Sequence, residues 1–162
     1  MNIEIIDNFL DNQEFALLQN QILISNSFPW YFNQIHQGYD YLYNLQYTHN
    51  FFEDDYINSD YFFVLDNVLK RLKPKKIVRI KVNSIPITEK IVEHPFHIDC
   101  DKECKTAIFY LNNNNGYTVF ANGKKVNSVA NRMIIFDSAY EHAGTSCTDK
   151  KFRCVINLNF FR

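Results

Sequence analysis

The residues of this chain whose types and spacing could do chemistry lie in its second half. His97-Ile98-Asp99 sets an imidazole and a carboxylate two positions apart, so on a strand both leave the same face. His142, within Tyr140-Glu141-His142-Ala143-Gly144, is the best candidate for a third ligand from another strand. Two imidazoles and one carboxylate on one side of a metal leave its other positions open. That facial set suits Fe(II), which needs free sites for substrate and O₂. Arg153 opens the last apolar run, Phe152-Arg153-Cys154-Val155-Ile156-Asn157-Leu158-Asn159-Phe160. An arginine pointing inward from such a strand is costly unless it meets an anion, and its planar fork fits a carboxylate. An aspartate or glutamate of the fold itself is the other partner such an arginine would take. His94 competes for the metal but, three residues before His97, faces the opposite way on a strand. Cys100 and Cys104 lack the second pair of a zinc site and are expected to pack as small apolar groups.

Elements that would position these residues divide near Pro74. Before it, Leu10 to about Ser25 reads as a helix, with Asp11 as N-cap, Glu14 at capping-box spacing, and Phe15, Leu18 and Ile22 on one stripe. A second helix starts near Ser59 and puts Phe62, Leu65, Leu69 and Leu72 on one face. Lys70, Arg71 and Lys73 sit in its last turn, and Pro74 stops it. The aromatic stretch Phe28 to Tyr56 reads as loops and short strands packed onto the core, with a partial lid role as a further expectation. After Pro74 the period changes to two. Ile77–Asn83, Lys105–Asn112, Tyr117–Ala121, Arg132–Phe136 and Phe152–Phe161 read as short strands. Asn113-Asn114-Asn115-Gly116 and Asn122-Gly123 are hairpin signals. With no helical pattern between the strands, antiparallel pairing is expected, in a sandwich or jelly roll.

The 162 residues make one domain's worth of chain, with 1–74 as a helical and aromatic support region and 75–162 as the β core. Hydrophobic residues form 46% and aromatics 16% against 22% charged, which excludes a disordered chain. A net charge of −1 gives no global positive field for nucleic acid or acidic lipid. No apolar run approaches the ~20 residues that cross a bilayer. Met1-Asn2-Ile3-Glu4 lacks the layout of a signal peptide, so a cytoplasmic location is expected, with Cys100, Cys104, Cys147 and Cys154 as reduced thiols.

His97-Ile98-Asp99, His142 and Arg153, in this order, resemble the iron- and 2-oxoglutarate-dependent oxygenases, in their prolyl-hydroxylase-like branch and its compact bacteriophage-type versions. Ile108-Phe109-Tyr110-Leu111-Asn112 is similar to the family's Tyr-Leu-Asn strand, Gly116-Tyr117-Thr118-Val119-Phe120 to its Gly-x-Thr-x-Phe segment, and Asn131 to Asp137 to the strand entering the distal histidine. The resemblance covers Ile77 to Phe161 and, more loosely, the N-terminal half. It implies a mainly β fold with N-terminal helices (α+β), a double-stranded β-helix of jelly-roll or cupin-like type. It implies that His97, Asp99 and His142 bind Fe(II), and that Arg153 holds the distal carboxylate of 2-oxoglutarate with Tyr110 as hydrogen-bonding partner. Asn83 and Asn157 are expected to line the same co-substrate pocket. The implied reaction uses Fe(II), 2-oxoglutarate and O₂ to hydroxylate an unidentified substrate, a protein side chain such as prolyl or a small molecule, giving succinate and CO₂. No membrane partner is expected, and a host-cell cytoplasm if the chain is phage-encoded. An AlkB-type nucleic-acid demethylase is the enzymatic alternative, but its second arginine position is Asn159 here and Arg162 is out of place. A non-catalytic jelly-roll module would explain the strands and aromatics equally well, but not the order of the four polar residues.

Overall fold

The protein is described by a computed structural model over residues 2–39, 41–100 and 103–162. Met1 of the N-terminal reading and Asp40 within the Phe28–Tyr56 stretch lie outside the described residues. Helix α1, Asn12–Gln19, begins where the sequence supplies its cap. Asp11 Oδ1 accepts from the backbone N–H groups of Gln13 and Glu14 at 3.0 and 2.9 Å, and Glu14 Oε2 accepts from Asp11 N–H. A π turn, Asn20–Ile24, continues the helix, and Phe15, Leu18 and Ile22 are buried as their spacing predicts. The second helical pattern resolves into a 3₁₀ turn, Phe62–Leu65, and helix α2, Asp66–Leu72. Lys73 lies past the helix rather than in its last turn. It takes the left-handed conformation (φ 51°), its N–H closes on Leu69 C=O, and Pro74 follows.

The strands in chain order are β1 Glu4–Ile6, β2 Tyr31–Asn33, β3 Gln46–Glu53, β4 Tyr56–Ile57, β5 Lys76–Pro86, β6 Lys105–Tyr110, β7 Tyr117–Phe120, β8 Lys125–Asn127, β9 Met133–Asp137, β10 His142–Gly144 and β11 Phe152–Phe161. They form a large sheet in the order β1-β9-β6-β11-β5-β3-β2, with β4 on β3, and a small sheet β10-β7-β8. All pairings within both sheets are antiparallel, as expected. The fold is a mainly β jelly roll with helices packed on one face.

Alternation along the strands sorts the two faces of the large sheet. Ile80, Val82, Ala107, Phe109, Cys154, Ile156 and Leu158 face α1 and α2 and join Phe15, Leu18, Leu65 and Val68 in one core. The opposite face meets the small sheet through Ile108, Tyr110, Phe120, Ile134, Phe136 and Val155. This second interface opens at one side into the candidate site.

Two local expectations are corrected. Phe28–Tyr56 is not loops and short strands alone: it contributes the eight-residue strand β3, which pairs with β5 inside the large sheet. Asn113–Gly116 is not a hairpin turn, because β6 and β7 belong to different sheets. It is the crossover between them, held by Asn114 Oδ1 to Gly116 N–H and by Asn115 to Thr148 and Asp149. Asn122-Gly123 does close the β7–β8 hairpin, with Gly123 at φ 83°.

Candidate metal and co-substrate site

His97 and His142 face each other across an isolated antiparallel bridge, each N–H donating to the other's C=O at 3.0 Å. This backbone pair brings the rings to a centroid distance of 4.6 Å. Asp99 sits two residues on, as the His-x-Asp spacing requires. One of its carboxylate oxygens lies 3.7 Å from His97 Nε2 and the other 3.7 Å from His142 Nε2. A ligand atom from each of the three residues falls within 4.8 Å of the others, close enough for one ion. The outward nitrogens are fixed by the backbone: His142 Nδ1 lies 3.0 Å from Tyr140 C=O and His97 Nδ1 3.4 Å from Pro95 C=O. With Nδ1 directed to a carbonyl, Nε2 keeps its lone pair for a metal.

Asp99 is oriented by groups with no sequence-level assignment. Thr106 Oγ1 donates to it at 2.8 Å, Asn159 Nδ2 at 3.3 Å, and Arg79 Nη2 lies 3.7 Å away. Burial pushes its carboxyl pKa up, but His142, His97, the Thr106 hydrogen bond and Arg79 outweigh it and hold the group below its ordinary value. Burial, then His142, pushes the His97 imidazole down. An ionised carboxylate and a neutral imidazole are the ligand forms a divalent cation takes.

At the other end of the cavity Arg153 is buried, with 2% exposure. Its Nε donates to Ser128 Oγ at 2.9 Å and its Nη2 to Thr118 Oγ1 at 3.1 Å. Among the described residues no carboxylate lies within ion-pair distance of it. The alternative in which a structural acid neutralises Arg153 is therefore not met among the described residues. Burial pushes its pKa down, the mark of a cation taken out of water. Gly116 makes the room: a Cβ there would fall 2.8 Å from Arg153 Cδ and 2.5 Å from Ser146 C=O.

Tyr110 is fully buried but does not line the cavity. Its hydroxyl donates to Thr118 Oγ1 at 2.8 Å, and the guanidinium carbon of Arg153 lies 5.6 Å from its ring centroid. It touches Arg153 directly and is also joined to it through Thr118, which does line the cavity. Thr118 Oγ1 accepts from both Tyr110 and Arg153, so its own hydrogen is directed to a further acceptor. Asn83 and Asn157 line the cavity too, each with a buried Oδ1 that has no partner among the described residues.

The cavity holds about 260 Å³, and Ile85, Ile108 and Val155 form its apolar wall between Arg153 and the histidines. His94 also lines it, contrary to the alternation argument. Residues 93–99 make only isolated bridges, not a continuous strand, so alternation does not apply there. His94 Nδ1 pairs with Tyr41 Oη at 3.0 Å and its buried Nε2 has no partner among the described residues. The aromatic stretch supplies Ile35, His36 and Gln46 to the cavity wall, while Phe28 and Phe51 are core. All four cysteines are thiols, and Cys104 packs buried against Ser138. Asn159 spends its amide on Asp99 and Thr106, and Arg162 pairs with Glu4 at 2.7 Å. Neither provides the second arginine of a demethylase site.

No protein-family model and no curated protein matches the sequence. Solved structures do. A prolyl hydroxylase from Trichoplax adhaerens, in complex with a hypoxia-inducible-factor oxygen degradation domain peptide fragment, superposes with a TM-score of 0.70 at 17% identity, over 98% of this chain and 83% of that one. A Pseudomonas putida prolyl-4-hydroxylase gives 0.62 at 14% identity, over 99% and 92%. The non-heme α-ketoglutarate-dependent epimerase SnoN from nogalamycin biosynthesis gives 0.69 at 14% identity, over 98% and 76%. The chain has the jelly-roll fold of the 2-oxoglutarate- and iron-dependent oxygenases, prolyl hydroxylases among them.

Proposed function

We propose that the protein is an Fe(II)- and 2-oxoglutarate-dependent dioxygenase that hydroxylates a substrate and releases succinate and CO₂. The observation that carries this reading is one cavity with two complementary poles. A buried arginine without a counter-anion stands at one end, and a His-Asp-His set able to hold one divalent cation at the other. A dicarboxylate joined to a metal satisfies both.

Iron, when bound, supplies O₂ activation, and 2-oxoglutarate supplies two electrons by its oxidative decarboxylation. The chain's residues do the rest. His97 and His142 present Nε2 because the backbone holds their Nδ1 atoms. Thr106 and Asn159 fix the Asp99 carboxylate. Arg153 and Thr118 receive the distal carboxylate through charge-assisted hydrogen bonds, with Tyr110 and Ser128 holding those two in place. Ile85, Ile108 and Val155 keep water from the space between.

Anaerobic equilibrium dialysis tests the reading. The wild-type protein is expected to take up one Fe(II) and one 2-oxoglutarate. Asp99→Ala is expected to lose the metal and all turnover-linked CO₂ release. Arg153→Ala is expected to keep the metal and need at least tenfold more 2-oxoglutarate. A wild-type protein that is folded and binds neither removes the oxygenase reading and leaves a jelly-roll binding module.

A further inference from the structure

The cavity carries more positive charge than a metal and 2-oxoglutarate consume. Strand β5 directs Arg79, Lys81, Asn83 and Ile85 into it at alternate positions. Each faces a residue of β11: Ile85 meets Arg153, Asn83 meets Val155, Lys81 meets Asn157 and Arg79 meets Asn159. Lys81 therefore stands four residues, about 13 Å along the strand, from the level of Arg153, and Arg79 about 20 Å. A five-carbon diacid anchored on Arg153 does not span that distance. Of the charged groups lining the cavity, Arg79, Lys81 and Arg153 are cations and Asp99 is the single anion among the described residues.

Asp99 is also the anion nearest Arg79, at 3.7 Å. A metal ion on Asp99 claims that charge and leaves Arg79 without it. Lys81 Nζ makes no hydrogen bond among the described residues, and the acids whose charge reaches it are Asp99 and Glu53. Glu53 lies beside Arg79 on β3 but does not line the cavity, and its Oε2 accepts from Asn50 at 2.6 Å. Loading the site with Fe²⁺ and the 2-oxoglutarate dianion adds no net charge, so among the described residues lining the cavity the cationic end still has no anion beyond Asp99. The volume, about 260 Å³ including the co-substrate's share, is below the usual ~300–1,000 Å³ of ligand pockets.

We propose that Arg79 and Lys81 form the subsite for the anionic group of the substrate to be hydroxylated, and that this substrate is a small free carboxylic acid. The proposal rests on the oxygenase reading for the word hydroxylated; the anion preference of the subsite stands on the residues themselves. Arg79 gives a planar fork to the carboxylate and Lys81 a point charge beneath it. The unpartnered Oδ1 of Asn157, opposite Lys81, accepts from a hydroxyl or amine on the same molecule.

The test is a thermal-shift and calorimetric titration of the protein, metal-free and loaded with Mn(II) and 2-oxoglutarate. The probes are benzoate, hexanoate, L-proline and L-glutamate, each beside its primary amide, and N-acetyl-L-glutamic acid α-amide as a peptide-borne acid. At least one free acid is expected to bind tenfold or more tightly than its amide. Lys81→Met and Arg79→Gln are each expected to abolish that preference, with Mn(II) and 2-oxoglutarate still binding to Lys81→Met, and Lys81→Arg to retain it. Equal binding of acids and amides, no binder among the acids, a preference that survives Lys81→Met, or binding of the peptide-borne acid alone overturns the proposal. If the wild type takes up neither Mn(II) nor 2-oxoglutarate, the oxygenase reading fails, and the acid–amide comparison on the metal-free protein still decides the subsite. Should Lys81→Met fail to fold, Arg79→Gln and Lys81→Arg give the same decision.

Discussion

Arg153 commits Nε and Nη2 to Ser128 and Thr118, with the Tyr110 hydroxyl alongside. The guanidinium is thus held in place by the fold and still has donors to give a ligand. His94 is the complementary case, a buried imidazole kept neutral. Burial, then Arg153, with His36 and His97 adding to it, pushes its pKa from 6.5 down to about 4. In the unfolded chain the same ring titrates near 6.5, so between those values the unfolded state binds a proton that the folded state refuses. Stability is therefore fully present above about pH 6.5 and falls as pH drops toward 4, by about 3 kcal/mol from this ring. In metal-free protein, His94→Gln is expected to make the fall of melting temperature across that range shallower. His36, His49 and His97, also lowered by burial, keep their own shares. An acid slope identical to wild type would mean the ring is hydrated in the folded state.

Elements place these side chains by means the sequence shows unevenly. The β6–β7 crossover approaches Arg153 so closely that Gly116 has no room for a side chain, with Ser146 C=O, Arg153 Cδ and Asn114 Oδ1 all within 2.8 Å of a Cβ built there. Gly116→Ala is expected to cost about 1–3 kcal/mol by overpacking and to raise the 2-oxoglutarate requirement by moving the guanidinium. Denaturant melts and a co-substrate titration check both halves. The α1 start, the β7–β8 hairpin and β11 were legible because each has a strong local cause: a capping box, Asn-Gly, and a long run rich in Val, Ile, Leu and Phe. Strand β3 was not, because its inward positions include the buried polar residues Gln46, Thr48 and His49, which break the apolar alternation. Strand β10, His142-Ala143-Gly144, has no strand propensity and exists through its partner β7. The candidate ligands and Arg153 were legible from type and order. Thr106, Thr118 and Asn159 were not, since their roles come from contacts across strands. Arg79-x-Lys81-x-Asn83 was a readable signal: polar residues at strand period, on the strand preceding His97.

At the scale of the molecule, the helices, the large sheet and the small sheet form two cores, and the cavity lies where the second one is left open. A ligand pair bound there stabilises the fold by mass action, about 2.7 kcal/mol at a hundredfold excess over its dissociation constant. Mn(II) with 2-oxoglutarate is expected to raise the melting temperature by several degrees, and Asp99→Ala to abolish the rise. A rise that persists in that variant would place the metal elsewhere. The His97–His142 bridge gives this coupling a local meaning. Its two N–H···O=C bonds form an isolated bridge, flanked only by single bonds such as His94 N–H to Gly144 C=O and Asp99 N–H to Ser138 C=O. Parting them separates two ligands, and an ion on both rings ties a long loop as a reversible crosslink would. With an ion bound on both rings, the amide protons of His97 and His142 are expected to exchange with solvent more slowly, so that hydrogen exchange with and without Mn(II) becomes an isotopic gauge of metal occupancy.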